Sequence, residues 1–244
     1  MIREIGRYFL FLGNLLTNRE TFRTYYTLVL EESVSIGIGS IFLVALVSTF
    51  MGAVTTVQTA ANMVSALIPN YVISQVVREM TILELAPTII AVIYAGKVGS
   101  SMSGHLGTMR ITEQIDALEV MGINSISYLV LPKIVASLLM YPMLVIVAAV
   151  CAMAGGYLAG TIADIISPHD YVYGIRFAFN EFFVTFALIK SVVFAFLVSS
   201  ISSFKGYYTQ GGALEVGVAS TQAVTNSVIA VLIADYLLAQ LLLA

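Results

Sequence analysis

A stretch without any charged residue runs from Ser33 to Val77, and this feature limits most strongly what the chain can fold into. Comparable apolar runs follow it, in a chain of 244 residues that is 59% hydrophobic and 10% charged. Soluble domains average about 25% charged residues, so a water-soluble fold could not cover this much apolar surface. Because the backbone must satisfy its own hydrogen bonds in lipid, only helices or closed barrels span a membrane. The runs are continuous rather than alternating, which predicts an all-α integral membrane protein.

About five transmembrane helices are predicted within a single transmembrane domain that covers residues 33–244. The predicted spans are residues 34–57, 82–107, 134–162, 182–203 and 224–244. The segments 164–180 and 205–222 are polar and predict loops. The segment 60–76 is compatible with a loop, a re-entrant hairpin or a further span, and we expect an excursion on the extracytoplasmic side.

The N-terminal residues 1–32 have a different pattern. Apolar residues recur there at spacings of three and four, which predicts an amphipathic helix that lies in the membrane interface; they are Ile2, Ile5, Phe9, Leu12 and Leu16. Thr17 and Glu20 form a capping-box pattern that would open a second helix toward Glu32. A helical hairpin packed on a partner protein is the alternative.

Basic residues predict the orientation, because cytoplasmic loops carry an excess of lysine and arginine. With five spans and a cytoplasmic N-terminus, most of them are cytoplasmic: Arg3, Arg7, Arg19, Arg23, Arg110, Lys133 and Lys205. Only Arg78 and Arg176 would lie outside, while Lys97 and Lys190 fall within the membrane. This pattern fits a multi-pass protein of a bacterial inner membrane.

A short amphipathic helix is predicted at residues 111–121, between the second and third spans. Ile111, Ile115 and Leu118 share one apolar stripe, which Met121 extends. The polar residues Glu113, Gln114, Asp116 and Glu119 project elsewhere, and Gly122 is a natural C-terminal stop. The pattern suits an ordinary surface helix as well as a rigid apolar ridge that docks a soluble partner.

Three motifs closely resemble the MlaE (YrbE) family of permeases. They are Glu84-Leu-Ala-Pro87, Ala95-Gly-Lys-Val-Gly99 and the run from Gly107 to Gly122 that includes Thr-Glu-Gln-Ile-Asp-Ala-Leu-Glu. Leu188-Ile-Lys-Ser-Val-Val-Phe194 and Phe204-Lys-Gly206 are similar to the same family. The stretch 207–220 matches more loosely, and Lys97 stands where the family usually has arginine.

The resemblance implies the permease subunit of an ABC transporter that moves phospholipids or related lipids between the inner and outer membranes. It implies a homodimer, a cytoplasmic ABC ATPase that hydrolyses the ATP, and a periplasmic MCE-domain protein. It also implies that 111–121 is the coupling helix. The residues assigned to ATPase coupling are Ile111, Glu113, Gln114, Ile115, Asp116, Leu118 and Glu119.

Ionisable residues within the membrane are costly and by default indicate a partner or a function. Lys190 and Asp235 lie at a similar predicted depth on antiparallel spans, which predicts an ion pair between them. Glu84 lies at the start of the second span, near Arg78. On the basis of the family resemblance we assign both residues to a lipid cavity. The alternative for Glu84 is a charge at the start of a helix that complements the helix dipole. We expect Lys97 to snorkel or to bind a carbonyl.

Small residues recur every fourth position in two spans. One ladder comprises Ala91, Ala95, Gly99, Ser103 and Gly107, a parallel row holds Gly96, Ser100 and Gly104, and another comprises Ala148, Ala152, Gly156 and Gly160. Such ladders allow close helix packing in lipid, either within one subunit or in a dimer seam.

The sequence also argues against several functions. It contains no phosphate-binding loop, so we expect this chain to bind no nucleotide or other cofactor itself. The two histidines are far apart and predict no metal site, and the net charge of −3 gives no reason to expect nucleic-acid binding. The alternative functions are a secondary transporter and an intramembrane lipid-modifying enzyme.

Overall fold

Helices form wherever the sequence is continuously apolar, because a helix satisfies its backbone hydrogen bonds internally. The computed structural model describes residues 2–15, 22–63 and 69–243, and within these ranges every regular element is helical. In chain order they are α1 (Ile2–Asn14), α2 (Phe22–Asn62), α3 (Tyr71–Met80), the π-helical segment π1 (Thr81–Ile89), α4 (Ile90–Tyr94), the π-helical segment π2 (Ala95–Gly99), α5 (Ser100–Ile111), α6 (Gln114–Val120), α7 (Ser125–Ile162), α8 (Pro168–Arg176), α9 (Glu181–Tyr207) and α10 (Ala213–Leu243). The predicted all-α fold class is confirmed.

Four helices in the described part of the chain are long and apolar enough to cross a membrane: α2, α7, α9 and α10. They correspond to four of the five predicted spans. The remaining predicted span, 82–107, falls on π1 to α5, which follow α3 without a break in helical backbone. Two stretches of wider π geometry, the first of which contains Pro87, interrupt the α-helical hydrogen bonding there.

Several predicted boundaries differ from the structure. The segment from Phe22 to Glu32 is the first part of α2 rather than a separate interfacial helix. α7 begins at Ser125, nine residues before the predicted span, and α10 begins at Ala213 within the predicted loop 205–222. The predicted loop 164–180 contains α8, whose N-terminus is capped by the hydroxyl of Ser167.

Two predictions near the ends of these helices are not tested by the structure. The capping box at Thr17 and Glu20 lies outside the described residues. Of the segment 60–76, the structure describes the end of α2 and the start of α3 but not residues 64–68, so the excursion stays a prediction.

The chain forms two compact units, and several helices contribute to both. The first unit comprises Met1–Gly39, Ala91–Tyr141 and Val192–Leu243. Its apolar core joins α1, the end of α5, α6, the start of α7 and the end of α9, through residues such as Phe11, Leu106, Ile115, Ile126 and Phe204. Aromatic rings of α1 and α9 contact each other edge to face in this core.

The second unit comprises Ser40–Ile90 and Pro142–Ser191. Its core includes Val77 from α3 and Tyr171 from α8, and these two helices pack on each other. Burial raises the pKa of Tyr171 to about 12, so its hydroxyl stays protonated and donates to the carbonyl of Met153 at 2.9 Å.

Both of the longer small-residue ladders are buried within the chain. In the first unit, a Cβ on Gly99 would meet Oγ of Ser202 at 2.7 Å, and a Cβ on Gly206 would meet the carbonyl of Ser103 at 2.5 Å. In the second unit, a Cβ on Gly156 would meet the side chain of Thr56 at 2.4 Å. These ladders therefore serve close packing inside one subunit.

Candidate functional site

The short helix α6 is held to the first unit by a buried anchor. Ile115 is 0% exposed and packs in the core with Leu106 and Phe204. The predicted apolar ridge is therefore not an exposed surface, because its central residue faces the interior. Leu118 is only half-buried, and Ile111 is the last residue of α5 rather than part of α6.

The acidic residues of α6 have intrachain partners that hold the helix in place. Asp116 accepts a hydrogen bond from the guanidinium of Arg110 at 2.6 Å. Glu119 accepts hydrogen bonds from the hydroxyls of Tyr207 and Ser125, each at 2.9 Å. Charge-assisted bonds of this kind are stronger than neutral ones. Asp116 and Glu119 therefore hold α6 in place, in addition to giving its surface negative charge.

The face of α6 that remains accessible begins at an unusual backbone position. Glu113 is exposed and has a φ of 61°, a left-handed conformation that redirects the chain between α5 and α6. Gln114 is also exposed, and at the other end Val120 and Met121 are 89% and 65% exposed. The accessible surface thus combines one acidic end with one apolar end.

Tyr207 was not predicted as part of this element, and its contact with Glu119 leads to a test. Replacing Tyr207 with phenylalanine removes the hydroxyl but keeps the ring. A hydrogen bond to a charged group contributes about 1.5 kcal/mol, so amide hydrogen exchange within α6 should become roughly tenfold faster. Tyr208→Phe is the control on the neighbouring residue. Equal exchange rates in the two variants would show that the Tyr207–Glu119 hydrogen bond does not hold α6.

In the second unit, a buried lysine is paired with a carboxylate. Lys190 is 0% exposed, and its Nζ lies 3.0 Å from Oε1 of Glu84 and 3.0 Å from the carbonyl of Leu83. Glu84 is 48% exposed and also accepts a hydrogen bond from Thr88. The structure thus brings together two predicted site residues, from π1 and α9, that were not predicted to contact each other.

The predicted Lys190–Asp235 ion pair stays a prediction, because Asp235 belongs to the first unit. The first unit does show the expected behaviour of Lys97, whose Nζ donates to the carbonyl of Gly39.

Arg78 is 1% exposed and binds the end of α8. Its guanidinium donates to the carbonyls of Ile175 and Phe177, both at 2.8 Å, and pairs with Glu79 at 2.9 Å. These carbonyls form the negative end of the α8 dipole, which favours a cation there. Arg78 therefore fixes α3 against α8, and its predicted place in a lipid cavity stays a prediction.

A small apolar cleft lies near the Glu84–Lys190 pair in the second unit. Its volume is about 200 Å³, and its lining comes from π1, α7 and α9 together with Phe179. Representative lining residues are Ile82, Ala86, Val145 and Leu188. Because every residue that lines it is apolar, the cleft suits a hydrocarbon chain rather than a polar ligand.

Long apolar helices with a buried ion pair and a firmly anchored connecting helix define a multi-pass membrane protein. The sequence profile of the family described as Permease MlaE matches residues 29–241. The chain therefore belongs to the MlaE permease family.

Relatives in several organisms agree with this placement. A probable ABC transporter permease protein of Rickettsia bellii is 34% identical over 99% of this chain and 93% of its own length. A probable ABC transporter permease of Synechocystis is 34% identical over 87% of this chain and 81% of its own length. The chloroplastic protein trigalactosyldiacylglycerol 1 of Arabidopsis thaliana is 35% identical over 79% of this chain and 55% of its own length. The chain is a permease, a transport subunit whose class implies a separate ATPase.

Proposed function

We propose that this chain is the permease subunit of an ABC transporter that moves phospholipids or related lipids between the inner and outer membranes of a bacterium. It acts as a homodimer. A cytoplasmic ATPase that binds α6 drives it, and a periplasmic MCE-domain protein exchanges lipid with it.

The anchored geometry of α6 is the observation that carries this proposal. A helix that transmits force from a motor must not move independently of the unit to which it is attached. Ile115, Asp116 and Glu119 tie α6 to α5, α7 and α9, while Glu113 and Val120 remain accessible to a partner. A push on this helix therefore reaches three neighbouring helices at once.

The positive-inside rule supports a cytoplasmic location for α6 and the N-terminus. The shared core of the first unit gathers α1, α6 and the adjoining ends of α5, α7 and α9. Arg7 on α1, Arg110 on α5 and Lys205 on α9 belong to these same segments. Basic residues concentrate on the cytoplasmic side of a membrane protein, so this end of the helices faces the ATPase.

Two features of the second unit support a lipid substrate. The apolar cleft provides a hydrocarbon environment, and the half-exposed carboxylate of Glu84 beside Lys190 provides polar groups for a head group. The name of the Arabidopsis relative refers to a galactosylated diacylglycerol, which is also a lipid.

Charge reversal at Glu113 tests the docking role most directly, because Asp116 and Glu119 also hold the helix. Glu113→Lys should reduce co-purification of the ATPase, and the ATPase activity of the complex, roughly tenfold, since a lysine there would repel the basic surface that complements an acidic helix. Glu113→Gln should have a smaller effect. The protein should still be inserted and folded, which thermal unfolding in detergent measures.

Glu181→Lys, at the exposed start of α9, is the matched control and should leave ATPase binding unchanged. Unchanged co-purification of Glu113→Lys would contradict docking at α6. If the wild-type chain purifies from membranes without any nucleotide-hydrolysing subunit, and lipid movement follows an ion gradient, a secondary transporter would be the better description.

A further inference from the structure

An exposed row of polar residues follows π2 and α5 through the middle of a predicted span. We name this row the polar stripe and define it as Lys97, Ser101, His105 and Thr108, all of which are exposed, as is the neighbouring Gly96. Polar side chains on a membrane helix face a water-filled cavity or a polar partner, because hydrocarbon cannot solvate them.

The opposite face of the same helix already makes the packing contacts of the first unit. Ala95, Gly99, Ser103 and Gly107 are buried, and the two glycines approach side chains of α9 and α10. By contrast, a Cβ on Gly96 would meet no atom within 4 Å. The stripe is thus not needed for packing within the subunit and has open space beside it.

Lys97 makes the stripe cationic at a depth where a charge is costly. It lies ten residues from the end of the predicted span, which corresponds to about 15 Å along a helix. Its ammonium carries three donors, and the partner that the structure shows is the carbonyl of Gly39 rather than an anion. Glu32 of α2, in the same unit, is paired with Lys133.

His105 continues the exposed polar surface one helical turn beyond Ser101. The hydroxyls of Ser101 and Thr108 add two donors. Lys97 and Ser101 lie one helical turn apart, so their ammonium and hydroxyl can reach the same phosphate group. His105 and Thr108 extend the polar surface by about two further turns.

We propose that the polar stripe binds the anionic phosphate of a membrane lipid while its acyl chains remain in hydrocarbon. This inference rests on the proposed function and deepens it by naming a head-group contact in the first unit. The polar stripe of a second copy is disfavoured as the cover of this surface in a homodimer, because a two-fold contact would place two Lys97 side chains opposite each other, and their like charges would repel.

The test measures lipid retention by the full chain in detergent, without ATP or partners. Native mass spectrometry would count bound phosphatidylglycerol and, separately, phosphate-free dioleoylglycerol. Lys97→Gln should weaken phosphatidylglycerol binding roughly tenfold, as expected for the loss of a charge-assisted contact, whereas Lys97→Arg should retain it. Ser101→Leu, which fills the stripe but leaves Lys97, should also weaken it. Lys205→Gln is the control for a general loss of positive charge.

Equal retention of the two lipids by the wild-type chain, or undiminished phosphatidylglycerol binding by Lys97→Gln, would overturn the inference. Displacement of phosphatidylglycerol by millimolar inorganic phosphate would identify a site for a free anion instead of a lipid. Efficient disulfide formation between copies carrying Ser101→Cys, in a Cys151→Ser background, would show that a second copy covers the stripe.

Lipid transfer by the assembled complex separates this inference from the proposed function. If lipid binding depends on Lys97 but the complex shows no ATP-driven transfer, the head-group site is supported and the transporter function is rejected. If transfer is ATP-driven but lipid binding does not depend on Lys97, the site is rejected and the transporter function is supported.

Discussion

Glu84→Leu is expected to destabilise the second unit by about 2 kcal/mol and to abolish lipid movement. The substitution leaves the ammonium of Lys190 buried without its carboxylate, and an unpaired buried charge is among the costliest single changes. The loss is smaller than for a fully buried pair because Glu84 is half-exposed and solvent screens its charge. Thermal unfolding in detergent and a lipid-transfer assay with the assembled complex measure the two effects.

A double substitution separates stability from transport. Lys190→Met combined with Glu84→Leu removes both charges, so the free energy of unfolding should return close to that of the wild-type chain. Transport should remain absent if the pair contacts the head group. A single Glu84→Leu variant as stable as the wild-type chain would contradict the importance of the pair. Asp235→Asn adds a test of the predicted Lys190–Asp235 contact, since coupling to Lys190→Met requires that the two side chains interact.

Gly52→Ala is expected to have the largest effect on folding, with a loss of more than about 3 kcal/mol. A Cβ there would lie 1.8 Å from the carbonyl oxygen of Ala152 on α7, and backbone atoms cannot move aside as a flexible side chain can. Gly155 makes the reciprocal approach to the carbonyl of Thr49 at 2.0 Å, so both helices touch backbone to backbone. The yield of folded protein and its thermal midpoint measure the loss.

Gly39→Ala provides a control of opposite sign on the same helix. No atom lies within 4 Å of a Cβ at Gly39, so alanine should only raise the helix propensity, by up to about 1 kcal/mol. A Gly52→Ala variant that folds as well as Gly39→Ala would show that α2 and α7 do not pack this closely.

The apolar runs were sufficient to predict the helices but not their full length. Glu32 was predicted to end a second interfacial helix that opens at the capping box of Thr17 and Glu20. In the structure α2 continues through Glu32, which pairs with Lys133 on α7. The two residues are far apart in the sequence, so no local pattern could show that each charge neutralises the other.

The candidate site was predictable at the level of elements but less so for individual contacts. The apolar helical stripe and Gly122 predicted α6. The spacing of the stripe, however, does not indicate whether Ile115 faces the core or a partner protein. The partner of Glu119 lies on α9, which only tertiary packing reveals. For Glu84, the period of 3.6 residues does not hold because π1 winds more widely, so the face that meets Lys190 could not be read from spacing.

The π geometry around Glu84 has a consequence for how the pair with Lys190 could be opened. In a π-helix each amide reaches one residue further back than in an α-helix, so a single-residue change of acceptor alters the winding without unravelling the segment. Such a change would rotate the carboxylate about the helix axis by about 100°, the angle between neighbouring residues in an α-helix. Lys190 would then lose the carboxylate of Glu84 as its partner through a local rewinding of π1, while α9 stays intact.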